Sequence, residues 1–243
     1  MALVPRVVKV TGKAASGSGS LTALAARVGE MLKKRDRPDG RAPPLSTPPP
    51  TAADRRARRA GPETISVFEA TTGGLVNAAL QSVPGASRYC APPLPVAESV
   101  NPPGAQPAAA DHGGANIYGR IGYKLYPKEL AQELAKGGAT DGNTNYASQK
   151  NYHASKVHHT TTISAFMNEQ LGSDWCISES GATGPTFAPP DCHTGFTAIA
   201  LVGPGVSECI IVESDTADRE ENMWAFTQAA FDLLEQALTS SKL

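Results

Sequence analysis

Little in this chain is extreme, and each shortage removes a class of function. The formal net charge is −1 over 243 residues, so no global field favours nucleic acid. No apolar run approaches the roughly 20 residues that a membrane-spanning helix needs. Cysteine is sparse, with four residues at 90, 176, 192 and 209. They form no C-x-x-C pair, so their spacing specifies neither a zinc site nor a disulfide scaffold, and reduced thiols are the ordinary reading. Acidic residues are absent from the first 29 positions, which hold Arg6, Lys9, Lys13 and Arg27 among Ser and Ala. That composition suits an organellar transit peptide, mitochondrial before plastid, or else a flexible cytosolic tail.

What is present predicts a folded core. Hydrophobic residues make up 40% of the chain and charged residues 19%, which fits one large domain or two small ones. Leu21, Leu24, Ala25, Val28, Met31 and Leu32 recur at helical spacing and end on Lys33, Lys34 and Arg35, a basic C-terminal turn. Two segments, 36–62 and 91–112, are rich in Pro and Ala and poor in large apolar residues, so neither can bury much surface. They read as loops inserted in a domain spanning 21–238, between a basic extension (1–20) and a short tail (239–243). The run Arg55, Arg56, Ala57, Arg58, Arg59 reads as a solvated face.

The most informative stretch is 64–89. Thr64 to Phe68 are β-formers and apolar residues, Thr71-Thr72-Gly73-Gly74 breaks the strand, and Leu75, Val76, Ala79 and Leu80 then recur at helical spacing. Backbone N–H groups at a strand-to-helix turn are free to hold an anion or an oxyanion. Downstream, a strand from Trp175 to Glu179 enters Ser180-Gly181-Ala182-Thr183-Gly184-Pro185. Two β-runs flank Gly203-Pro204-Gly205, a hairpin pattern. Asp218 stands as helix N-cap with Glu221 in the capping-box position, ahead of Met223, Phe226, Ala230, Phe231, Leu234 and Leu238. His153, His158 and His159 lack the i, i+4 spacing that puts two imidazoles on one helix face, so no metal site is predicted. Asp191-Cys192-His193 places thiol and imidazole side by side in sequence, which does not specify a dyad.

Residues 68–74 (Phe-Glu-Ala-Thr-Thr-Gly-Gly) and the turn Val83-Pro84-Gly85-Ala86-Ser87 resemble the hallmark of the CinA carboxy-terminal domain family, whose members deamidate nicotinamide mononucleotide. The segment Ser180 to Pro185 resembles that family's second hallmark, and Asp218-Arg219-Glu220-Glu221 resembles the start of its closing helix. The resemblance implies a three-layer α/β/α domain with a mixed sheet, and no cofactor. In an active member it implies serine attack on the carboxamide, aided by a lysine. The family's serine falls on Ala70, which has no hydroxyl. Its tyrosine falls on Tyr118, and its lysine, five residues on, falls on Tyr123, with Lys124 next. Two later glycines and a second lysine fall on Phe187, Ala188 and Cys192. The resemblance therefore implies a ligand site of Glu69, Thr72, Gly73, Gly74, Tyr118, Ser180, Gly181, Ala182, Thr183 and Gly184. Thr71 and Lys124 would serve only if catalysis survives.

Three functions follow from this pattern. One is a catalytically degenerate domain, kept as an accessory subunit of an organellar assembly or as a nucleotide-binding module. Another is an active amidohydrolase using Thr71 or Thr72. The third is an adaptor whose Pro-rich segments dock protein partners on an inert platform.

Overall fold

The computed structural model describes residues 5–11, 18–37, 61–90, 130, 132–134, 149–186 and 193–241. Its elements run β1 (Arg6–Val10), α1 (Ser18–Lys34), β2 (Asp36–Arg37), β3 (Gly61–Pro62), β4 (Ile65–Glu69), α2 (Leu75–Gln81), α3 (Gln149–Leu171), β5 (Trp175–Ala182), β6 (Phe196–Gly203), β7 (Val206–Ser214) and α4 (Arg219–Ser240). Five strands form one mixed sheet in the order β1-β7-β6-β5-β4. β4 and β5 are parallel, as are β1 and β7, while β5, β6 and β7 are antiparallel neighbours. Among the described residues no helix is long and apolar enough to cross a membrane.

Side-chain alternation along the strands sorts the layers. Ile65, Val67, Trp175, Ile177, Ile199, Leu201, Ile210 and Val212 face one way and join the largest apolar cluster. That cluster is closed by Leu21, Leu24, Val28 and Leu32 of α1, Val76 and Leu80 of α2, and Phe226, Phe231 and Leu234 of α4. Each such side chain contributes roughly 1.5–3 kcal/mol on burial. The other sheet face meets α3 and is far more polar. The buried stripe of α3 runs Tyr152, Ser155, His159, Thr160, Ile163, Ser164, Met167 and Asn168. Its polar members are bonded to the sheet or its loops: Ser178 Oγ donates to Thr160 O at 2.6 Å, and Asn168 Nδ2 donates to Ser173 O at 2.9 Å. Two helical layers thus enclose one mixed sheet, the three-layer α/β/α architecture expected from sequence.

Local signals place several elements. β6 and β7 pair from Phe196↔Glu213 to Gly203↔Val206, with Pro204 and Gly205 as a two-residue turn. Asp218 caps α4, its Oδ1 accepting from Glu221 N at 2.9 Å, while Thr216 Oγ1 accepts from Asp218 N at 3.0 Å. The hydroxyl of Thr216 therefore takes the reciprocal place read for Glu221. The buried Arg35 donates to Leu238 O and Ser241 O at the C-terminal end of α4, and to Glu63 Oε2 at 2.6 Å. A cation is favoured at those carbonyls.

Two boundaries differ from the sequence reading. Residues 6–10, read as part of a basic extension, form an edge strand, because Val7, Val8 and Val10 pair in parallel with β7. Ser180, Gly181 and Ala182, read as a loop, continue β5 against β6. Gly181 permits this, since a Cβ there would stand 2.0 Å from Phe196 O. The ends of the first Pro-rich segment pair with one another, Asp36↔Pro62 and Arg37↔Gly61. The rest of that segment, all of 91–112, Tyr118, Tyr123, Lys124, Phe187, Ala188 and Cys192 lie outside the described residues.

Candidate functional site

The site forms where the parallel strands β4 and β5 end side by side. Glu69 is in register with Glu179, so the turn 70–74 leaves β4 directly beside the end of β5. Gly73 (φ 68°) and Gly74 (φ 96°) both adopt left-handed backbone, and Gly74 opens α2 as its N-cap. The chain can therefore reverse from strand to helix within the five residues 70–74. The loop after β5 is pinned from behind by α4. Asn222 Nδ2 donates to Thr183 O at 2.8 Å, and Arg219 donates to Gly184 O at 3.3 Å. Thus Glu69, Thr71, Thr72, Gly73 and Gly74 lie together with Ser180, Gly181, Ala182, Thr183 and Gly184.

The turn's amides are already engaged. Glu179 Oε1 accepts from Ala70 N (2.7 Å), Thr71 N (2.7 Å), Thr72 N (2.9 Å) and Thr72 Oγ1 (2.9 Å). Its Oε2 accepts from the Thr71 hydroxyl and from Thr197 Oγ1 at 3.3 Å. Glu69 does the same for the first turn of α2, accepting from Val76 N at 3.2 Å and Asn77 N at 2.7 Å. Both carboxyl groups are wholly buried.

Thr72 Oγ1 stands 2.6 Å from Glu69 Oε2 and 2.9 Å from Glu179 Oε1. A hydroxyl has one hydrogen, so it can donate to only one of them. The Thr72 hydroxyl therefore bridges the two buried carboxyl groups, donating to one of them at a time. Burial pushes the Glu69 carboxyl up from its ordinary value, against the hydrogen bonds from Thr72, Asn77 and Val76, and the Glu179 charge adds to the rise.

On the α3 side of the same strand ends the chemistry is different. Ala70 is half-buried against Phe68, and Ser180 occupies the matching place on β5. Lys156 of α3 reaches Ser180 Oγ with its Nζ at 3.1 Å and lies 5.5 Å from the Tyr152 ring centre. Burial lowers the Lys156 amine from its ordinary value, with Glu179 opposing.

Glu179, Thr197 and Lys156 escaped the sequence reading. A glutamate at the end of a short apolar strand was the available signal, since a buried charge demands partners. The histidines are occupied elsewhere. His153 stacks on Phe196 at 4.0 Å, His158 Nε2 is 3.0 Å from Glu133 O, and His159 packs near Phe68. Among the described residues no cluster suits a metal ion. Cys90, Cys176 and Cys209 are free and buried, and burial pushes their thiols up to about 11, 12 and 11.

Similarity to known proteins agrees with this architecture. The family model of the CinA C-terminal domain matches residues 151–238. A CinA-like protein from Gloeobacter violaceus (strain ATCC 29082 / PCC 7421) is 26% identical over 183 residues. That match covers 72% of this chain, which spans about a third (33%) of the relative's length. The crystal structure of a competence-damaged protein (CinA) superfamily protein from Klebsiella pneumoniae 700603 has the same fold, with a TM-score of 0.57 at 16% identity over 91% of this chain and 99% of that one. A competence/damage inducible protein from Agrobacterium tumefaciens gives 0.53 at 16% identity, over 93% and 99%. The family match over residues 151–238, the relative and the shared fold together make this chain similar to CinA C-terminal domains.

Proposed function

We propose that this chain is a CinA-like domain in which the family's carboxamide chemistry no longer runs from the strand-to-helix turn. It serves as an accessory subunit of a larger, organellar assembly or as a nucleotide-binding module. The observation that carries this reading is Glu179. Its carboxylate takes the Ala70, Thr71 and Thr72 amides, the groups that would otherwise meet a substrate oxygen. Position 70 itself holds no hydroxyl. Oxyanion stabilisation and an activated nucleophile are therefore both missing from the place where the resemblance implies them. The Pro-rich segments 36–62 and 91–112 are the proposed docking elements for protein partners.

An active amidohydrolase is the second reading, favoured by one contact, the hydrogen bond from the Thr71 hydroxyl to Glu179. A base within reach of a hydroxyl is what nucleophilic catalysis requires. Against it, the same carboxylate holds the Ala70, Thr71 and Thr72 amides, so those amides are not left to stabilise an oxyanion. Ammonia release from nicotinamide mononucleotide separates the two. The proposed function predicts none above an enzyme-free blank, and release that vanishes in Thr71→Ala establishes the second reading.

A further inference from the structure

The end of β5 carries a second arrangement, on the sheet face away from the carboxylates. Ser180 Oγ and Lys156 Nζ stand 3.1 Å apart, inside the reach required between a nucleophile and its base. Lys156 forms no ion pair among the described residues. Its contacts are the Ser180 hydroxyl and the Tyr152 ring, and Tyr152 is itself fixed edge-on against Phe196 at 5.2 Å. The ring thus flanks the amine only as a packing surface, 5.5 Å from ring centre to Nζ. Ser180 is buried, while the neighbouring Ala70, Thr71, Gly181 and Lys156 are each partly exposed. The pair therefore sits just below the surface.

We propose that Ser180 is an acyl-accepting nucleophile with Lys156 as its general base, acting on small carboxylic esters or amides from the α3 side of the sheet. The step balances without a cofactor. Ser180 Oγ forms a bond to the acyl carbon as its proton passes to Lys156 Nζ. The bond from that carbon to the leaving alcohol or amine then breaks, and the leaving group takes the proton from Lys156. Water releases the acid by the same path and restores the hydroxyl. This requires the amine to be neutral so that Ser180 donates to it. Burial of Lys156 works in that direction.

This inference goes beyond the accessory reading. It places a reactive hydroxyl one strand away from Ala70, and it asks nothing of the amides that Glu179 holds. Family resemblance pointed to Ser180 only as a ligand contact, and to Lys156 not at all.

The test is covalent labelling of the full chain by a fluorophosphonate and by a sulfonyl fluoride between pH 6 and 10, with the adduct mapped by mass spectrometry. The expected result is an adduct on Ser180 whose rate rises with pH and levels off below the ordinary lysine range. Lys156→Arg keeps length and charge but cannot act as a base. It should slow labelling at least about 100-fold, the lower range for a general base, while the far-UV circular dichroism and melting temperature stay near those of the parent. Lys156→Met should do the same. Absence of an adduct on Ser180 with both probes overturns the proposal, as does an adduct whose rate is unchanged in Lys156→Arg. Labelling is independent of the ammonia assay. An adduct on Ser180 with no ammonia from nicotinamide mononucleotide upholds both readings. Ammonia lost in Thr71→Ala but kept in Ser180→Ala defeats only the accessory reading.

Discussion

The two faces of the sheet at the ends of β4 and β5 are built on opposite principles. On the α1–α2–α4 side, Glu69 and Glu179 gather the turn's donors into a closed network of five amides and three hydroxyls. On the α3 side, one lysine meets one serine and an aromatic ring, and among the described residues it forms no direct ion pair. A saturated network holds a turn in place and leaves the amides of residues 70–72 no free donor for a ligand. A sparse pair contributes little to folding and keeps its chemistry available. The difference teaches that the conspicuous sequence feature, the Gly-Gly turn, is structural here. The quieter one, a lysine amid histidines, stands beside the proposed nucleophile Ser180.

Several substitutions sharpen that contrast. The largest effect should come from Glu179→Ala. It leaves three amides and their neighbouring hydroxyls unpaired in a buried site, each costing about 1–3 kcal/mol. A loss of at least about 3 kcal/mol in urea unfolding is expected, and a loss below about 1 kcal/mol would show that the network does not hold the turn. Gly74→Val comes next. A side chain at φ 96° strains the N-cap of α2 and should destabilise by about 1–3 kcal/mol. An unchanged melting temperature would make the turn ordinary.

pH offers a test without an engineered clash. The Glu69 carboxyl is raised in the folded state, so between its unfolded and folded values the native chain binds more protons than the unfolded one. Stability from this group is therefore present at acid pH and falls as pH rises from roughly 4 through the raised folded value. Unfolding free energies measured across that window should decline in the parent and flatten in Glu69→Gln. A parallel decline in both would remove Glu69 as the source. The smallest effect belongs to the other face. Lys156→Met replaces a buried amine by an apolar chain of similar length and should change stability by less than about 1 kcal/mol, with either sign. A loss comparable to that of Glu179→Ala would erase the contrast between the faces.

Legibility followed the range of the forces. The β6–β7 hairpin, the Asp218 cap and the α1 helix were readable because turn residues, a capping aspartate and apolar spacing act over a few positions. The β1 strand was hidden by its basic composition, although Val7, Val8 and Val10 are β-formers. Ser180 to Ala182 read as a loop because Gly181 is a strand breaker in isolation. Only the neighbouring β6 backbone shows that a side chain has no room there. Glu69, Thr72 and Ser180 were legible through the family pattern. Glu179 and Lys156 were not, because their hydrogen-bond partners are 18 to 109 positions away and no local spacing announces them. The polar stripe of α3 weakened the helical signal for the same reason, since Ser155, Thr160 and Ser164 lie buried on its inner side.

The central claim is that the chain's own Glu179, and no ligand, occupies the amides of residues 70–72. Hydrogen exchange at those three amides, followed by NMR with and without nicotinamide mononucleotide, tests it most directly. The account predicts slow exchange in the free protein, rates unchanged by the nucleotide, and marked acceleration in Glu179→Gln. Fast exchange in the free protein that slows when the nucleotide is added would contradict it.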